Sequence, residues 1–144
     1  MMTEEIKRTI ILENYQNPKN RGLLNDNSYK TINTNSESCI DQIDLQLKIE
    51  NNIVKDVRFD GEACAICTSS TSIMINSLIG KSIDEALKII INFENMINER
   101  EYDEGLLGEA IVYSDISKQP NRKKCALLTW EGVKESLESG VKHE

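Results

Sequence analysis

Thiol groups are the main candidates for reactive side chains in this chain, because its four cysteines are accompanied by a single histidine. The cysteines are Cys39, Cys64, Cys67 and Cys125, and the histidine is His143. A Ser-His-Asp triad, a Cys-His nucleophile pair and a histidine-rich catalytic zinc site each need an imidazole near the core. The sequence also lacks glycine-rich phosphate-binding loops. We therefore expect thiol or metal chemistry.

Three of the cysteines and one aspartate are candidate ligands for a metal ion. Cys39 and Asp41 are two residues apart, so in a strand both project to the face that carries Ile43. Cys64 precedes a predicted helix, whose free amide N–H groups and dipole favour a thiolate. Cys125 lies within the first two turns of another predicted helix. Three thiolates and one carboxylate are enough ligands for a tetrahedral zinc ion.

Each of these residues also has an interpretation without chemistry. Cysteine is among the most buried residue types, so the thiols could simply fill the core. Asp41 could cap a turn. The Cys64-x-x-Cys67 spacing is compatible with metal or redox use, but Cys67 also suits packing at a helix start. The basic run Arg122–Lys124 is typical of a solvated helix face, with Lys123 as a possible cation at the edge of the site.

Hydrophobic periodicity predicts an α+β fold, because one helix and a pair of antiparallel strands are followed by further helices. Residues 1–144 form a single predicted domain. Two strands and four helices can be located, with a short helix plus loop in the acidic stretch Asn98–Lys118. The strands are Ile43–Glu50 and Ile53–Phe59, and the helices follow Thr3, span Thr68–Ile79, follow the capping box at Ser82 and begin at Pro120.

The alternation of apolar and polar residues in the two strands predicts which residues lie opposite each other. A two-residue loop would place Leu45 opposite Arg58, which mixes core with charge. A three-residue loop instead places Leu45 opposite Val57 or Phe59. Extended to the open end of the hairpin, this register brings Cys39 next to Cys64.

Composition and charge narrow the possible partners. The formal net charge of −7 argues against binding to nucleic acid or to an anionic membrane surface. No apolar run approaches the ~20 residues of a membrane span. The first residues are acidic and lack the pattern of a signal peptide, so we expect a cytoplasmic protein with reduced cysteines.

Four motifs, in order along nearly the whole chain, resemble the SufU branch of the IscU/NifU N-terminal-type iron–sulfur cluster assembly proteins. Two further features resemble this branch more than IscU itself: the insertion-like stretch Asn98–Lys118, and Lys124 where IscU-type scaffolds carry a histidine ligand. The four motifs are Asn17-Pro18-Lys19-Asn20-Arg21-Gly22, Cys39-Ile40-Asp41, Phe59-Asp60-Gly61-Glu62-Ala63-Cys64 and Pro120-Asn121-Arg122-Lys123-Lys124-Cys125.

The resemblance implies an α+β fold in which a small antiparallel sheet of about three strands packs against helices. It also implies one zinc ion held by Cys39, Asp41, Cys64 and Cys125. It further implies a zinc-dependent sulfurtransferase-type protein that accepts persulfide sulfur from a SufS-type cysteine desulfurase in iron–sulfur cluster biogenesis. In that family the first cysteine, here Cys39, receives the sulfur after a histidine of the desulfurase replaces it on zinc. Apo-proteins or cluster scaffolds are the implied recipients.

The chain departs from the family pattern at two positions. Ile40 stands where the family has glycine, and its β-branch forbids backbone angles that glycine permits. Cys67 is an additional thiol that could compete as a ligand or form a disulfide with Cys64.

Two other functions remain open. One alternative function is a scaffold that holds a transient [2Fe–2S] cluster. The other is a non-enzymatic domain with a structural zinc, favoured if Cys67 replaces Asp41 as a ligand.

Overall fold

In residues 2–35 and 41–142 the fold combines a three-stranded antiparallel sheet with five α-helices, which confirms the expected α+β class. The computed structural model describes residues 2–35 and 41–142, with side chains described up to residue 139. In chain order the elements are α1 (Glu4–Gln16), β1 (Lys30–Asn35), β2 (Gln42–Glu50), β3 (Ile53–Glu62), α2 (Ala65–Leu78), α3 (Ile83–Ile97), α4 (Glu104–Leu107), a 3₁₀ segment (Gly108–Lys118) and α5 (Pro120–Lys142).

The sheet has the order β1-β2-β3, and one of its faces forms the floor of the core. Alternate residues of β2 and β3 point to this face, because successive side chains of a strand project to opposite sides. Helices α2, α3 and α5 pack onto it. The alternate residues are Ile43, Leu45, Leu47, Val57 and Phe59, and all five are buried.

The β2–β3 hairpin has the predicted register but not the predicted loop. Asn51 and Asn52 form a two-residue turn, with φ values of 53° and 62° that a type I′ turn requires. The prediction of a three-residue loop is therefore wrong. A bulge in β3 leaves Lys55 without an opposite residue and restores the parity of the strands. Leu45 lies opposite Phe59 as predicted.

The helices follow the predicted capping signals, except that α2 starts earlier than expected. Thr3 caps α1, and the predicted capping box at Ser82 is present at the start of α3. The prediction placed the start of α2 at Thr68, whereas the helix begins at Ala65 with Cys64 as its N-cap. Cysteine is not among the preferred N-cap residues, which explains why the sequence did not indicate this start.

The remaining surprises are strand β1 and the segment before α5. Strand β1 could not be located in the sequence because Ile32 is its single apolar residue and it pairs along one edge only. Helix α4 and the 3₁₀ segment occupy the acidic stretch from Asn98, where a short helix plus loop was expected. No helix in residues 2–35 and 41–142 combines the length and the apolar character that crossing a membrane requires.

Candidate metal centre

Three of the four predicted ligands converge at one end of the sheet. Ligand atoms of Asp41, Cys64 and Cys125 all lie within 4.8 Å of one another. Asp41 immediately precedes β2, Cys64 immediately precedes α2, and Cys125 is in the second turn of α5. Residues far apart in the chain thus meet where a strand begins and two helices begin. The fourth predicted ligand, Cys39, lies outside the described residues, as does Ile40.

Asp41 is held by the backbone at the start of α2. Its side chain is only 3% exposed, although an ionised carboxylate is costly to bury without compensation. The N–H of Cys64 donates a hydrogen bond to Asp41 Oδ1 over 2.8 Å. The second carboxylate oxygen, Oδ2, lies 3.7 Å from Cys64 Sγ. One oxygen is therefore fixed by the backbone while the other is directed at the thiol.

Cys64 presents its sulfur at the N-terminus of α2. As the N-cap residue it has an extended backbone, with φ −68° and ψ 168°, and its Sγ accepts the N–H of Cys67 over 3.4 Å. This is the position at which serine or aspartate usually caps a helix, and such a donor stabilises negative charge on the capping atom. Cys64 is half-buried, whereas Asp41 and Cys125 are buried.

Cys125 supplies the third ligand from α5. The residue is 4% exposed, and its Sγ lies 3.8 Å from the carbonyl oxygen of Asn121 one turn earlier in the helix. The neighbouring basic residues face outward: Arg122 and Lys124 are exposed and Lys123 is half-buried. The role of Lys123 as a cation at the edge of the site stays a prediction.

The donor set fits a zinc ion. Two sulfurs and a carboxylate oxygen are ligands that tetrahedral zinc accepts, with Zn–S near 2.3 Å and Zn–O near 2.1 Å. At a tetrahedral ion, a sulfur and an oxygen ligand at these distances lie about 3.6 Å from each other. The observed separation of 3.7 Å between Asp41 Oδ2 and Cys64 Sγ matches this value. Among the residues that the structure describes, the converging group contains Asp41 and not Cys67, which favours the Asp-containing set over four cysteines.

Tyr113 is a neighbour of the site that the sequence did not indicate. It is completely buried, and its hydroxyl donates to Ser69 Oγ over 2.5 Å. Burial raises the pKa of Tyr113 far above its ordinary value, and the nearby thiols of Cys67 and Cys64 raise the pKa further. The phenol therefore stays protonated and acts as a hydrogen-bond donor beneath the site. The tyrosine lies in the 3₁₀ segment, whose weak patterning gave no signal.

Cys67 is fully buried on α2. This agrees with the prediction that it packs at the start of the helix.

Comparison with known proteins identifies the family. Residues 6–126 match the family described as the NifU-like N-terminal domain. The chain belongs to this family. It is 37% identical to the zinc-dependent sulfurtransferase SufU of Bacillus subtilis, over 98% of this chain and 92% of the relative. It is 38% identical to the iron–sulfur cluster assembly scaffold protein IscU of Thermotoga maritima, over 88% of this chain and 89% of the relative.

A solved structure confirms the fold of this NifU-like chain. That structure is of a different protein, described as a putative iron–sulfur cluster assembly scaffold protein for the SUF system, from Fervidobacterium islandicum AW-1. It superposes with a TM-score of 0.85 at 35% identity, covering 89% of this chain and 93% of the other. The predicted resemblance to the SufU/IscU group and the predicted α+β class are both confirmed.

Proposed function

We propose that this NifU-like protein is a zinc-dependent acceptor of persulfide sulfur in iron–sulfur cluster assembly, and that a SufS-type cysteine desulfurase is its donor. The observation that carries the proposal is the convergence of Asp41, Cys64 and Cys125 within 4.8 Å. The Bacillus subtilis relative, named a zinc-dependent sulfurtransferase, supports the choice of metal and of reaction. We assign Cys39 as the fourth ligand and as the acceptor.

The described ligands have separate tasks in this proposal. The N–H of Cys67 stabilises negative charge on Cys64 Sγ, and the N–H of Cys64 holds the Asp41 carboxylate in place. Cys125 closes the group from α5. When bound, zinc keeps its cysteine ligands deprotonated and protects them from oxidation. The buried surroundings of Asp41 and Cys125 limit the access of water to the centre.

The sulfur transfer itself is a thiolate exchange. The Cys39 thiolate attacks the terminal sulfur of a cysteine persulfide on the desulfurase. A new S–S bond forms on Cys39, and the S–S bond of the donor breaks. The donor cysteine leaves as a thiolate and takes up a proton, so the step needs no external oxidant or reductant. The persulfide on Cys39 is then available to an apo-protein or a cluster scaffold.

A desulfurase assay with defined variants tests the proposal. We expect the wild-type protein to accelerate sulfide release by the desulfurase in the presence of a reductant, and Cys39→Ala to abolish the acceleration. Cys67→Ala is the matched control, because it removes a different thiol, one buried on α2, and spares the proposed ligands. No acceleration by the wild-type protein, or acceleration that survives Cys39→Ala, would refute the proposed role.

A scaffold function is the second candidate, because the Thermotoga maritima relative is named an iron–sulfur cluster assembly scaffold. The same thiolates could then hold a transient [2Fe–2S] cluster. Anaerobic reconstitution with iron and sulfide separates the two candidates by visible absorption, since zinc is colourless. A stable coloured species at about one cluster per chain or per dimer would favour the scaffold. Protein that stays colourless and keeps its zinc favours the acceptor.

A further inference from the structure

Helix α2 carries five consecutive hydroxyl residues, all of them buried. Thr68, Ser69, Ser70, Thr71 and Ser72 are each at most 3% exposed, although serine and threonine are usually found at the surface. Their hydroxyls contact different parts of the molecule. Ser69 pairs with Tyr113, Ser70 and Thr71 contact α5, and Ser72 contacts both α1 and the segment after it. The helix that begins with Cys64 is therefore fixed by directional bonds.

Among the hydroxyl contacts between α2 and α5, one made by Ser70 reaches the residue nearest in sequence to Cys125. Its hydroxyl donates to the carbonyl oxygen of Ala126 over 2.7 Å and accepts the indole N–H of Trp130 over 2.8 Å. Ala126 directly follows Cys125 in the chain. The hydroxyl of one completely buried serine thus joins α2 to the turn of α5 that carries a proposed ligand.

The separation between Cys64 and Cys125 depends on how α2 and α5 are placed along each other. Cys64 is six residues before Ser70, about 9 Å along the helix axis. Apolar packing alone only weakly prevents α2 from sliding along α5, because hydrophobic burial is non-directional. A hydrogen bond, in contrast, fixes both a distance and an angle. Partners behind metal ligands tune affinity by holding the ligands in position.

We propose that Ser70 is a positioning residue for the metal centre, one that holds Cys125 at the distance from Cys64 that zinc binding requires. This inference rests on the proposed zinc site and adds a residue that touches neither the ion nor the substrate. The next residue, Thr71, provides a natural contrast. Its hydroxyl pairs with that of Thr129 over 2.9 Å, also between α2 and α5, but four residues from Cys125.

Zinc affinity measured by competition with a chromophoric chelator tests this inference without any activity assay. We expect Ser70→Ala to weaken zinc binding by about 10-fold. Thr71→Val is the matched control, because it removes one hydroxyl contact between the same helices, together with a bond inside α2 from Thr71 Oγ1 to the carbonyl oxygen of Cys67. It should change the zinc affinity by less than about two-fold. Each substitution removes the partner of a buried polar group, the indole N–H of Trp130 or the hydroxyl of Thr129. We therefore expect the metal-free variants to melt at similar temperatures, so that a merely structural role would affect both alike.

Cobalt provides a spectroscopic readout of the same geometry. In the wild-type protein, Co²⁺ bound by thiolates should give the intense visible bands of a tetrahedral site. Ser70→Ala should shift or weaken these bands, since Cys125 is no longer held in place, and Thr71→Val should leave them unchanged.

A double variant guards against a simple folding defect. Ser70→Ala alone leaves the indole N–H of Trp130 buried without its partner, which is costly. Ser70→Ala combined with Trp130→Phe removes both partners and avoids this cost. We expect the double variant to fold and to show the same loss of zinc affinity. Wild-type affinity in both Ser70 variants would overturn the inference while leaving the zinc site intact. Absence of zinc binding by the wild-type protein would overturn the site itself and the inference with it.

Discussion

Helices α2 and α3 are neighbours of similar length that are held in place by different forces. Helix α3 is amphipathic: its buried side carries Ile90, Phe93 and Ile97, and its exposed side carries the charged residues Asp84, Glu85 and Lys88. Helix α2 is buried on nearly every side, and its hydroxyl groups bond to Tyr113, to α5 and to α1. Hydrophobic burial stabilises both helices, and we propose that the hydrogen bonds of α2 also fix the position of its N-terminus. That N-terminus carries a proposed ligand, and the N-terminus of α3 carries none.

Removal of the central aromatic ring of α3 should have the largest effect on stability. The ring of Phe93 stacks on Trp130 with centroids 3.9 Å apart and contacts Tyr113 edge-on at 6.1 Å. We expect Phe93→Ala to lower the free energy of unfolding by about 3–5 kcal/mol, measured by urea denaturation. Zinc affinity of the folded fraction should stay close to wild type. A large loss of affinity in this variant would mean that apolar packing also positions the metal centre.

Removal of the α3 cap should have a smaller effect and leave the metal centre untouched. Ser82 Oγ accepts the N–H of Glu85 over 3.1 Å, and Glu85 Oε1 accepts the N–H of Ser82 over 3.2 Å. Ser82→Ala removes the first of these bonds, and we expect a loss of about 1 kcal/mol in the free energy of unfolding. Zinc affinity should not change. If it fell as far as in Ser70→Ala, the contrast between the two helices would be lost.

The sequence predicts the elements whose burial is periodic. Strands β2 and β3, the capping box of α3 and the apolar side of α5 all follow from alternation or helical spacing. Strand β1 escapes this reasoning because an edge strand with one apolar residue has no pattern. The length of the hairpin loop was also missed, since the bulge at Lys55 changes the parity of β3 in a way that local sequence does not reveal.

The sequence predicts the ligands of the site but not the residues that hold these ligands in place. The hairpin register brings the start of β2 to the start of α2, and Asp41 indeed contacts Cys64. The approach of Cys125 depends on the packing of α5, which no local pattern gives, and its inclusion came from the family resemblance and its ligand chemistry. The buried hydroxyls of α2 were missed because serine and threonine usually indicate caps, turns or exposed positions.

The zinc content of the purified protein tests the central claim most directly. Elemental analysis of wild-type protein, purified without added chelator, should give about one zinc per chain. Cys125→Ser should lose most of this zinc while it keeps the helical circular-dichroism signal, because one of the converging ligands is gone. Wild-type protein without zinc, or a Cys125→Ser variant that retains it in full, would contradict the account of Asp41, Cys64 and Cys125 as ligands of one ion.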